Sequence, residues 1–354
     1  MNEGLNKIFY WMLAFVPISV YFGYFTHNDT LTFITAILAI IPLAAILGFA
    51  TKDIVLRSSP TIGGLLNATF GNAIELIIAI LALSQGLVEI VRASIIGSII
   101  GNLLLLIGLS LFFGGLKYKE QRFNKMSAGV SSTMLIIAVA ALAIPTFYSL
   151  TSQPSQHQVQ VLSDVLAGVM ATIYLAGLFF ALYTHKQLFD ASDEIKSSLD
   201  KPLLSRKNAI LLLVGTVLVV AFVSEALVNS VEHAAVSIGM TQTFIGIVVI
   251  AIITNIAEKL AAVHFARENK LDISIEIGSS SAIQIALFVV PILVVISSIF
   301  NFGFSLVFTA FEVITMLFAV MIINYLSADG KCNWLEGAQL ISLYLIIAIV
   351  YYFI

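Results

Sequence analysis

Apolar residues come in long runs along this chain, and polar residues gather in the short gaps between them. A run of about 20 apolar residues is long enough to cross a bilayer core of about 30 Å as a helix. The pattern predicts eleven such spans, at 8–25, 31–50, 62–84, 91–113, 128–148, 163–184, 208–230, 242–265, 272–299, 303–325 and 335–354. Two gaps are long and polar. One is 117–125; the other, 185–207, carries Asp190, Asp193, Glu194 and Asp200. The predicted fold class is therefore an all-α polytopic membrane protein.

Composition agrees with that reading. The chain has 354 residues, 60% hydrophobic and only 10% charged; soluble domains carry about 25% charged residues. The net charge of −3 points to no nucleic-acid partner. The single cysteine, Cys332, gives no disulfide framework and no metal motif. The first run, from Ile8, is too long for a signal-peptide core and lacks a clear cleavage site, so it reads as a retained span.

The basic residues orient the spans, because Lys and Arg stay cytoplasmic. With eleven spans, fifteen of the 17 basic residues fall on the face of the N-terminus, and only Arg92 falls on the other. The seventeenth, Lys259, lies inside a span. The N-terminus is then cytoplasmic and the C-terminus external. The short loops fit a prokaryotic plasma membrane.

An internal repeat links the third and eighth spans. Ile62, Gly63, Asn72, Glu75 and Ala79 match Ile245, Gly246, Asn255, Glu258 and Ala262, all at an offset of 183. The same offset carries Ser98 onto Ser281. The two spans enter the membrane from opposite sides. The expected domains are an extra helix (1–30), a first five-helix repeat (31–184), a cytoplasmic linker (185–207) and an inverted second repeat (208–354). Inverted repeats are the usual construction of secondary transporters.

A carboxylate inside a bilayer is costly unless paired, protonated or bound to a cation, so Glu75 and Glu258 are the leading cation ligands. Asn72 and Asn255 stand at i−3, on the same helix face. Two carboxylates with amide and backbone oxygens make a hard site suited to calcium, magnesium or manganese. Gly71 precedes Asn72, where a helix can unwind and expose carbonyls. Ser98, Asn102, Ser281 and Gln284 are candidate supporting groups, with ordinary helix packing as the competing reading. Burial favours the neutral acid and a bound cation favours the carboxylate, so two protons and one divalent ion compete for the pair. Glu225 and Glu312 are candidates for a proton path. No GxxxxGK[ST] signature is present, and no nucleophile–base set suggests an enzyme. No cofactor is expected; calcium and protons are the expected substrates, and the lipid bilayer is the expected surrounding partner.

Gly63-Gly64-Leu65-Leu66-Asn67-Ala68-Thr69-Phe70-Gly71-Asn72-Ala73-Ile74-Glu75-Leu76 closely resembles the calcium/proton exchanger family of cation antiporters. So do the stretch from Ala93 to Leu104 and Asn333-Trp334-Leu335-Glu336-Gly337. The resemblance covers nearly the whole chain. It implies eleven spans, calcium held by Glu75 and Glu258, and export of calcium against inward proton flow. Sodium/calcium exchangers usually carry a proline before the acidic residue; Ile74 and Ala257 stand there, which favours proton coupling. The second repeat departs from the family pattern Gly-Asn-Ala-Ala-Glu-His. Thr254 replaces glycine, Lys259 replaces histidine, and Ser280 stands where the family has glycine. Lys259 can snorkel, pair with another acid, or supply fixed positive charge near the site. The last reading leaves open an antiporter for sodium or manganese, or a homologue that does not transport. The acids of the linker read as a solvated face or a calcium sensor.

Overall fold

A computed structural model describes residues 3–185 and 202–354. Among the described residues, eight helices are long and apolar enough to cross a membrane, and up to ten if each of two bent pairs counts as one span. They are α1 (Ile8–Thr26), α2 (Asp29–Val55), the pair α3 (Pro60–Gly71) and α4 (Ala73–Ser84), α5 (Val88–Lys117), α6 (Lys125–Ser152) and α7 (Gln156–Thr184). After the linker come α8 (Arg206–Ile238), the pair α9 (Gln242–Thr254) and α10 (Ile256–Arg267), α11 (Leu271–Phe300), the shorter apolar α12 (Ala310–Leu326) and α13 (Trp334–Phe353). The linker acids from Asp190 to Asp200 lie outside the described residues. The chain is an integral membrane protein: Trp11, Phe222 and Met321 are large apolar side chains left on its surface, as a lipid-facing surface requires.

Helix starts follow from capping side chains. Asn28, Ser59, Asn124, Ser155, Ser205, Thr241 and Thr309 each accept a backbone N–H from the first turn of the following helix, relieving donors that the helix itself cannot satisfy. One predicted boundary is corrected. The span expected at 303–325 begins only at Ala310. Asn301 and Gly303 adopt positive φ, which ends α11 and starts a non-helical stretch. Its backbone N–H groups are met by hydroxyls: Phe304 donates to Ser297, Leu306 to Ser163 and Phe308 to Thr146, at 2.8–3.0 Å. Apolar character alone could not separate this partly buried, non-helical segment from helix.

The chain forms two compact units, and each draws on both sequence halves. The first comprises Met1–Ser94, Asp200–Ala257 and Tyr351–Ile354; the second comprises Ile95–Leu199 and Glu258–Val350. In the first unit α2 and α8 pack along one another. Ala36, Ala39, Ile40, Leu43 and Leu47 recur at helical spacing on α2, and Val220, Val223, Leu227 and Val231 on α8, all buried. In the second unit α6 packs on α12, and α7 on the latter part of α11. Two-residue strands β1 (Gln121–Arg122) and β2 (Lys331–Cys332) pair antiparallel beyond the helix ends. Beside them the Lys331 ammonium, 3.2 Å from Glu120, holds that carboxyl below the usual carboxylate range.

Candidate cation site

Both repeat glutamates lie just after a helix break. In the first unit, α3 ends at Gly71, Asn72 leaves helical geometry (φ −111°, ψ 22°), and α4 starts at Ala73 with a bend of 47°. Asn255 repeats this (φ −101°, ψ 16°), with a bend of 59° between α9 and α10. Glu75 and Glu258 therefore fall in the first turn of α4 and of α10. Orphan N–H groups and the positive end of the helix dipole favour a carboxylate there. This sharpens the expectation: the acids sit at interrupted helices, where backbone polarity is available inside a membrane.

Side chains explain the second break. Thr254 donates its hydroxyl to the Ile250 carbonyl at 3.0 Å, and the Asn255 amide donates to Ala251 O at 3.2 Å and to Thr254 Oγ1 at 3.1 Å. The Asn255 amide meets the Ala251 carbonyl, whose helical donor, the Asn255 N–H, turns to Ile253 O. Thr254 thus has a local role that a glycine could not fill. Asn72 and Asn255 are both buried, at 1% and 2% exposure.

In the second unit three further candidates are joined. Asn102 donates its amide to Ser281 Oγ at 2.9 Å, and Lys259 Nζ donates to Asn102 Oδ1 at 3.4 Å. Asn102 is fully buried, Ser281 and Lys259 are each 4% exposed, and Ser98 lies buried one turn before Asn102. Lys259 does not snorkel to the surface. Gln284 instead donates to Ser280, at 3.2 Å. Asn102 is the second residue of a wide π-helical turn, Gly101–Leu106, and Gln284 directly precedes another, Ile285–Val289. The offset of 183 maps the first turn onto the second to within one residue. π-Turns inside α-helices often mark functional sites.

Sequence reading missed two contacts that build this unit. Ser274 donates to Ala262 O at 2.7 Å, tying α11 to α10. Gly278 lets α11 approach α5: a Cβ there would lie 3.0 Å from Asn102 O and 2.7 Å from Ile107. A serine and a glycine in an apolar run were the only signals available. Both candidate proton carriers have hydrogen-bond partners. Glu312 closes a capping box with Thr309, accepting its N–H at 2.7 Å, and Glu225 accepts the Tyr24 hydroxyl at 3.2 Å. Among the described residues, no group of three or more His, Cys, Asp or Glu could hold a metal ion. The donor set at the breaks is carboxylate, amide and hydroxyl, which suits a hard cation carried as substrate.

Residues 28–183 and 208–353, on either side of the linker, match the family described as sodium/calcium exchanger protein. The chain belongs to that family. Among members of this exchanger family, it is 41% identical over 363 residues to a Ca2+/H+ antiporter of Synechocystis sp., covering 98% of each chain. It is also 41% identical over 348 residues to the Ca2+/H+ antiporter ChaA of Bacillus subtilis, covering 98% of this chain and 99% of that one. The solved structure of native YfkE has 39% sequence identity and a TM-score of 0.85, covering 98% of this chain and all of that one.

Proposed function

We infer that this chain is a secondary antiporter that exports calcium from the cytoplasm in exchange for protons. The observation that carries the reading is 41% identity, over essentially the full length, to exchangers named Ca2+/H+ antiporters. The site chemistry supports it. Glu75 and Glu258 are the cation ligands, aided by Asn72 and Asn255. Calcium neutralises both carboxylates in one half of the cycle, and two protons do so in the other. Each half then crosses the apolar interior near neutrality.

The proposed layout has eleven spans, with α12 counted as a span and each bent pair as one. An extra first helix precedes two inverted five-helix repeats, with a cytoplasmic N-terminus and an external C-terminus in a prokaryotic plasma membrane. The family match on both sides of the linker, the paired Asn breaks and the paired π-turns all support the repeat. Reconstitution in liposomes with an imposed pH gradient tests the function. Calcium counterflow is expected in the wild type and is lost in Glu75→Gln and Glu258→Gln. Counterflow of sodium or manganese without calcium would reassign the substrate, and calcium counterflow surviving both substitutions would remove the site.

A further inference from the structure

Lys259 directly follows a proposed cation ligand yet is 4% exposed. An ammonium has only donors to offer. Its bond to Asn102 therefore fixes the amide's orientation: Oδ1 faces Lys259, and the NH2 group faces Ser281. The side-chain oxygen of Asn102 is the kind of hard ligand a divalent cation seeks, and an ammonium already occupies one face of it. Gly278 keeps α11 close enough to α5 for Ser281 to hold the other end of the amide. The arrangement is built into the second unit and is buried, none of its three side chains more than 4% exposed.

We propose that Lys259 is a specificity-determining residue: its ammonium sits on Asn102 Oδ1 as a tethered cation, weakening the protein's hold on ions of higher charge. The proposal rests on the antiporter reading, in which Glu258, one residue away, takes the transported ion. Coulomb repulsion from a fixed charge scales with the charge of the arriving ion. Removing the tethered charge must therefore strengthen binding of a trivalent ion more than that of a divalent one, whereas a merely structural defect would have no such ordering.

The test is calorimetric binding of Ca2+ and La3+ to the purified full chain in detergent at one fixed pH. Wild type is compared with Lys259→Gln, which keeps a donor for Asn102 but loses the charge, and with Lys259→Arg, which keeps the charge. Lys259→Gln is expected to bind Ca2+ about tenfold more tightly and La3+ about thirtyfold more tightly, the ratio that follows from charges of two and three. Lys259→Arg is expected to resemble the wild type. Asn102→Asp, which neutralises the ammonium in place, is the second variant should Lys259→Gln not fold; it is expected to give the same ordering. Unchanged affinities, or equal gains for both ions, would overturn the proposal while calcium binding that is lost in Glu258→Gln upholds the antiporter reading. A wild-type chain that binds no calcium would overturn both.

Discussion

Gly278→Ala is the substitution that most directly joins packing to the candidate site. The added methyl would sit 2.7 Å from Ile107 Cγ1 and 3.0 Å from the Asn102 carbonyl oxygen, where ordinary contact begins at 3.4 Å. The Ile107 side chain can rotate; the Asn102 backbone cannot. Helix α11 must therefore retreat from α5 by about 0.4 Å. Ser281 lies one turn further along the same helix and retreats with it. The Asn102–Ser281 bond, now 2.9 Å, opens towards about 3.3 Å, past the usual range for an N–H···O bond. Overpacking of this kind costs about 1–3 kcal/mol, of which the weakened hydrogen bond accounts for about 1 kcal/mol. Thermal unfolding in detergent should show a midpoint lowered by roughly 2–6 °C. Because the methyl acts partly through Ser281, the double substitution with Ser281→Ala should cost less than the sum of the two single ones. A Gly278→Ala midpoint equal to the wild type, or strict additivity in the cycle, would refute this chain of reasoning.

Three further outcomes are expected. Thr309→Ala removes the hydroxyl that accepts the Glu312 N–H at 3.2 Å and should cost about 1 kcal/mol of stability. Glu312→Gln, which keeps an acceptor for Thr309, should retain calcium counterflow; abolished transport would restore Glu312 as a proton carrier. Burial, with Glu336 and Asp329 nearby, pushes the Cys332 thiol above its usual value of 9.0. The folded state thus favours the neutral thiol, a contribution fully present below pH 9.0 and progressively lost above it. Thermal scans above that pH should show a decline that Cys332→Ser reduces; an identical decline in both proteins would count against the assignment.

What the sequence alone could determine was whatever depends on neighbours along the chain. Apolar run length gives helices that cross a membrane, and a capping residue gives a helix start, because hydrophobic transfer and first-turn hydrogen bonds are local. The repeated Asn-x-x-Glu was legible for the same reason: a charge in an apolar run stands out, and standing out twice at one offset exposes a repeat. Tertiary structure decided the rest. It interrupted each helix at the Asn and so moved the glutamates to helix starts. It also turned residues 301–309 into a non-helical strip held by hydroxyls from three helices, among them Ser163 and Thr146 of the first half. Its compact units cut across the two halves of the chain, because burial follows spatial neighbours rather than sequence order. Lys259 shows the division most clearly. The sequence marked it as a charge out of place, but only the fold could bury it against Asn102, since that partner lies 157 residues away.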